Sequence, residues 1–171
     1  MHRLLFVLLS LTVSALDIGE KLPPMKGEFL TGRDATLPGA ANGRPALIAV
    51  GFTYKSRFAV EEWVKRFRAD FDREPGVTFY EVPMIGGMGV MGKWFINSGM
   101  KRGTPKANHE NVITVYGGGA GEWKKRLGYR EEDAAYLLLI DKTGAVAWKY
   151  TGLYDAAQYP ALAAKVKALL P

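Results

Sequence analysis

Five consecutive residues, Tyr54, Lys55, Ser56, Arg57 and Phe58, stand where a hydrophobic run gives way to an amphipathic one. Two cations and a hydroxyl at the start of a helix suit a carboxylate or a phosphate. The first amides of a helix are free donors, and Arg matches such anions in shape. No thiol chemistry is open to them. The chain has no cysteine, which excludes disulfides, thiolate metal sites and sulfur nucleophiles together. A second candidate is thioether chemistry. Met84, Met88, Met91 and Met100, with His109, could hold Cu(I) if the fold brought three of them together. Packing or a partner-binding surface is the commoner use of methionine.

Other patterns carry less. His109-Glu110 with Ser56 or Ser98 would need a strained elbow for a hydrolase, and no G-x-S-x-G exists. Gly87-Met-Gly-Val-Met-Gly92 fits G-x-G-x-x-G. However, Pro83 and Gly86 separate it from the preceding strand, so it reads as a loop. Glu131-Glu-Asp133 reads as a solvated acidic loop. Trp94, Trp123, Trp148 and Tyr154 read as core rather than as an exposed patch.

Elements must position these residues. Residues 46–50 are apolar throughout, as in a strand buried on both faces. Residues 59–72 place Val60, Trp63, Val64, Phe67 and Phe71 on one helical face, with Glu61 and Glu62 expected in the first turn. Phe58 is expected to pack. Residues 77–82 form the next strand, parallel to the first by the right-handed crossover rule. Residues 83–110 show few periodic signals, with one or two helical turns near Lys93. A short strand follows at 112–116, a flexible glycine link at 117–121 and a short helix at 122–127. A hairpin of 136–140 and 145–150 turns at Asp141-Lys-Thr-Gly144, and 156–170 is a closing helix. Earlier in the chain, 29–37 reads as a small hairpin turning at Gly32-Arg33-Asp34.

This order of elements resembles the thioredoxin and peroxiredoxin superfamily. The lead-in Leu16-Asp-Ile-Gly-Glu-Lys-Leu-Pro23, the strand running into Phe52-Thr-Tyr54, and the string YLLLIDKTGAVAW starting at Tyr136 carry the resemblance. It implies an α/β, thioredoxin-like three-layer sandwich: a central mixed β-sheet, an N-terminal β-hairpin and helices on both faces. Thiol-active members carry Cys-x-x-Cys after the aromatic; Lys55 and Phe58 hold those two places here. The family's cis-proline place falls on Ala135. The resemblance thus implies a redox fold without redox chemistry. The strings VYEVPMI-like at 77–85 and LLIDKTGAVAWKYTG also resemble the mitochondrial ATP synthase assembly factor family and its bacterial relatives, which implies a non-enzymatic assembly role.

Composition agrees with one folded domain. The chain has 171 residues, 48% of them hydrophobic, enough for a sizeable core. Net charge is +6, but Lys and Arg are scattered, so no nucleic-acid partner is expected. Met1-His-Arg3, an apolar run to Val13 and the small residues Val13-Ser14-Ala15 read as a secretory signal cut after Ala15. The apolar run is too short for a mature span. The expectation is a signal peptide at 1–15 and a thioredoxin-like domain at 16–171 with an insertion at about 83–111. Such a protein would be secreted or periplasmic and would not be an enzyme. It would need no cofactor and would bind a protein or peptide partner through 54–58 and the Gly/Met insertion. An enzyme of unknown type, or a copper-binding protein, using 83–110 is the alternative.

Overall fold

The computed structural model describes residues 14–87 and 90–171. In chain order it holds β1 (Met25–Phe29), β2 (Asp34–Leu37), β3 (Ala46–Gly51), α1 (Ser56–Phe71), β4 (Thr78–Ile85), α2 (Val90–Gly103), β5 (Ile113–Tyr116), α3 (Gly118–Arg126), β6 (Ala135–Ile140), β7 (Val146–Gly152) and α4 (Tyr159–Leu169). The strands form one sheet in the order β2-β1-β5-β4-β3-β6-β7. β3 is parallel to β4, and β4 to β5; every other neighbouring pair is antiparallel. The mixed sheet with helices on both faces is the expected three-layer, thioredoxin-like architecture.

β3 is central because it is apolar at every position, so both of its faces can be covered. Leu47 and Ala49 point to one core, with Trp63, Val64 and Phe67 of α1 and Leu162 and Val166 of α4. Ala46, Ile48 and Val50 point to the other, with Ala120 and Trp123 of α3. The alternation follows from the two-residue period of a strand. Trp63 has no solvent exposure and lies among the rings of Trp148, Tyr150, Tyr154 and Tyr159. Such a residue contributes most of what a core side chain can, about 3–5 kcal/mol on truncation to alanine.

Several boundaries differ from the expectations. α1 begins at Ser56 rather than at residue 59, which moves Glu61 and Glu62 out of the first turn. The strand expected to end at 82 runs on through Pro83 to Ile85. Where one or two turns were expected, α2 is a 14-residue helix. Among its described side chains, two contacts with the sheet are polar and carry no apolar period: Lys93 Nζ meets Glu28 Oε2 at 2.7 Å, and Asn97 Oδ1 accepts from the Tyr116 hydroxyl at 2.6 Å. The glycine link at 117–121 is instead the first half of α3. Glycine disfavours a helix, but a Cβ at Gly119 would come within 3.2 Å of the Val115 side chain. The bare backbone is what lets α3 lie close on β5 and bury Ala120 and Trp123.

Candidate functional site

The turn after β3 closes on itself. Ser56 Oγ accepts from the Thr53 amide at 3.1 Å, and Thr53 Oγ1 accepts from the Ser56 amide at 3.0 Å. This reciprocal pair has the bonding pattern of a capping box, with serine in the usual Glu place, and closes the turn that leads into α1. The Ser56 hydroxyl also donates to the Thr53 carbonyl at 2.9 Å and is fully buried. Gly51 makes room for it: a Cβ there would meet Ser56 Oγ at 2.8 Å. The helix start therefore offers fewer free amides than the sequence suggested. At Ser56 the chain's own hydroxyl already fills that role.

Lys55 is likewise engaged within the chain. Its ammonium lies 2.9 Å from Glu132 Oε1 and 3.8 Å from Asp133 Oδ1. The hydrogen bond to Glu132, and then the Asp133 charge, hold the amine above its ordinary range. Thr53 Oγ1 ties the same loop down by donating to the Glu132 carbonyl at 2.6 Å. The acidic loop read as solvated is thus the internal counterpart of the turn's cation. Sequence order gave no sign of it, because the two stretches are 77 residues apart.

Phe58 does not pack. It is 52% exposed, and Tyr54 is 72% exposed. The two rings meet edge to face at 6.1 Å. The Arg57 guanidinium lies 4.4 Å from the Tyr54 ring centre and 4.6 Å from that of Phe58, within the range of cation–π attraction. Glu61 stands 4.0 Å from Arg57. Phe58 is outward because Ala59, Val60 and Trp63 take the buried stripe of α1. Among the described side chains, which leave out that of Trp94, the exposed aromatic surface is therefore here. Trp123 is buried, and Trp148 and Tyr154 pack against the α1 and α4 core.

Of the candidate thioether set, Met84 and Met100 are held apart. Met84 is buried on the α3 side of the sheet with Val115, its register partner. Tyr116, the next residue, points the opposite way by strand alternation, and it is Tyr116 that Asn97 of α2 binds. Met84 and the α2 residue Met100 therefore lie on opposite sides of the sheet. Met88 lies outside the described residues, as does the side chain of Met91. His109 Nε2 lies 2.9 Å from the Thr104 carbonyl oxygen, and Glu110 pairs with Arg33 at 2.6 Å. Neither is directed at Ser56, whose hydroxyl is spent within the turn. Within the glycine pattern, Met88 and Gly89 are outside the described residues, and α2 starts at Val90.

One titratable group escaped the sequence reading. Glu81, in β4, sits opposite Ala49 of β3 on the α1 side of the sheet. It floors a cleft of about 380 Å³ lined by Glu61, Val64, Lys65, Arg68, Ala69 and Asp72. Burial first, and then the Glu61 charge, push its carboxyl up to about 7 against the pull of Arg68. The available signal was a single charged residue inside the β-branched and aromatic run Val77-Thr-Phe-Tyr-Glu-Val82.

No family model matches the chain. No curated protein matches it in sequence. Solved structures do match in fold. The thioredoxin domain of a thiol-disulfide oxidoreductase from Bacteroides vulgatus has a TM-score of 0.62 at 15% identity, over 89% of this chain and 99% of that one. The exposed lipoprotein thioredoxin Etrx1 of Streptococcus pneumoniae gives 0.55 at 14%, over 86% and 100%. BsSco, a member of the Sco family of cytochrome c oxidase assembly proteins, gives 0.59 at 13%, over 90% and 97%. With its described elements in this order and its sheet so paired, the chain has the thioredoxin-like fold, and it carries that fold without a single cysteine.

Proposed function

We propose that this protein is a non-catalytic, exported binding protein with an assembly-factor type of role, whose working face is the turn at 54–58. The observation that carries this reading is the exposed Tyr54–Arg57–Phe58 cluster at the start of α1. Solvent-exposed aromatics stacked on an arginine are costly to leave in water and are the residue types that dominate protein interfaces. With lysine and phenylalanine in the two cysteine places, the site can grip a partner but cannot exchange a disulfide. The resemblance to the ATP synthase assembly factor family points the same way, and a fold neighbour of the Sco family serves assembly.

Export is supported by the way the fold begins. Leu16 is buried, its amide donates to the Arg126 carbonyl at 2.8 Å, and its own carbonyl accepts from Lys149 Nζ at 2.9 Å. Ser14 and Ala15 are exposed. Cleavage after Ala15 would leave each of these contacts in place. Among the described residues no helix is long and apolar enough to cross a membrane.

The reading is tested by placing a photo-crosslinking amino acid at position 54 or 58 in producing cells, with exposed Lys142 as the control position. A discrete adduct from 54 and 58 but not from 142 is expected, together with no insulin-disulfide reduction and no peroxide consumption by the purified protein. Turnover in either assay, or the same adducts from all three positions, would refute it.

A further inference from the structure

We infer that the face carrying Tyr54, Phe58 and Leu153 receives a protein segment that combines apolar side chains with lysine or arginine. This rests on the binding reading above and adds the chemistry of the partner. Among the described residues, three of the four large hydrophobic side chains most open to solvent lie at one end of the sheet. Tyr54 and Phe58 follow β3. Leu153, 64% exposed, follows Gly152, which pairs with Ala135 at the start of β6 beside the end of β3.

The charge around these residues opposes that of the molecule. Both cations of the turn are already countered, Lys55 by Glu132 and Asp133, and Arg57 by Glu61. Glu131 and Asp155 remain without an ion pair among the described residues, and each is close to Tyr150. Burial first, and then the Asp155 and Glu131 charges, hold that hydroxyl above its ordinary range. These two carboxylates, which no cation among the described residues counters, give the face an acidic border on a chain of net +6. An apolar patch with an acidic border repels anionic lipid and nucleic acid and attracts a cationic segment that can bury its apolar side chains. A free carboxylate from a partner would meet Arg57 only in competition with Glu61.

The test uses two fluorescent synthetic peptides on the full chain, identical in their leucines and phenylalanines, one carrying lysines and the other glutamates. The lysine peptide is expected to bind about tenfold more tightly at low salt, with the preference shrinking as salt is raised. Glu131→Gln with Glu132→Gln and Asp133→Asn removes the preference; Tyr54→Ala with Phe58→Ala weakens both peptides. All of these side chains are exposed, so the variants fold. Equal affinity for the two peptides, or a preference for the glutamate peptide or for anionic vesicles, overturns the charge assignment. If the Tyr54 and Phe58 variants still lose binding in that case, the binding face itself stands. Loss from neither variant, or binding of both peptides weaker than about 1 mM, overturns the peptide assignment altogether.

Discussion

Replacing Glu81 by glutamine is expected to stabilise the protein above neutrality and to leave it unchanged in mild acid. The carboxyl is raised from the usual 4.5 to about 7, so the folded state holds its proton more tightly than the unfolded chain. The resulting stability is complete below pH 4.5, is lost as pH rises through the interval from 4.5 to about 7, and is flat above it. At about 1.4 kcal/mol per tenfold change in proton affinity, the ceiling is about 3 kcal/mol. The cleft is open to water, and Lys65 and Arg68 line it, so screening reduces the loss to about 1–2 kcal/mol. Glutamine keeps the shape and carries no charge at any pH. Urea unfolding of both proteins at pH 5, 6, 7 and 8 reads the difference as the spacing between midpoints at constant slope. The two should coincide near pH 5 and separate by about 1–2 kcal/mol at pH 8, with the glutamine variant the more stable. Parallel curves across this range, or a wild type more stable at pH 8, would refute the burial of this carboxyl as its cause.

Three further outcomes follow from the same geometry. Thr53→Ala removes the bond to the Ser56 amide at the start of α1 and the bond to the Glu132 carbonyl, and is expected to cost about 1–2 kcal/mol in urea unfolding. Lys55→Cys with Phe58→Cys places two thiols at exposed positions one helical turn apart, and the purified variant is expected to form an internal disulfide, seen by mass and by thiol titration. With Glu132 and Asp133 beside it, the first new thiol should titrate no lower than about 8.5, by its thiolate absorbance, and adding Glu132→Gln and Asp133→Asn should lower that value. Asp141→Ala should cost about 1–3 kcal/mol. Its carboxylate accepts from the Thr143 amide and hydroxyl and from the Ala145 amide at 2.6–3.0 Å, bonds that hold it below its ordinary range although burial pushes the other way. Its stabilising effect should therefore be lost as pH falls through the acid range, which acid-unfolding curves of the two proteins would show.

The frame was legible in the sequence wherever one physical signal decided an element. The unbroken apolar run before Gly51 fixed β3, and the Trp63, Val64, Phe67 stripe fixed the buried face of α1. Asp141 and Gly144 fixed the β6–β7 turn. Elements were misread where packing overrode local preference. Gly118, Gly119 and Gly121 look like a link, yet they open α3, and the bare Cα of Gly119 lets it lie close on β5. Lys93 and Asn97 look like a solvent face, yet both bond to the sheet, to Glu28 and Tyr116. At the site, residue types were readable but their pairings were not. Nothing near Lys55 in sequence announces Glu132, and nothing near Phe58 shows that it faces water. The first depends on a loop 77 residues away, the second on which residues of α1 take its buried stripe.

The lead-in segment also bears on how the molecule behaves in company. β7 is the outermost strand on its side, and such an edge is a template on which a second chain can pair and aggregation can start. Here the edge is blunted at one end. Gly19 and Glu20 exchange backbone bonds with Val146, and Leu22 donates to the Gly144 carbonyl. An irregularity in register at Leu139 and Ile140 breaks the run just beyond, and Lys149, reaching out to Leu16 and Asp17, sets a charge on the remaining stretch. At the opposite border β2 is only four residues long. A chain trimmed past Leu22 should lose this protection together with the buried Leu16 and Leu22, and should precipitate as sheet-rich material at temperatures where the intact protein stays in solution.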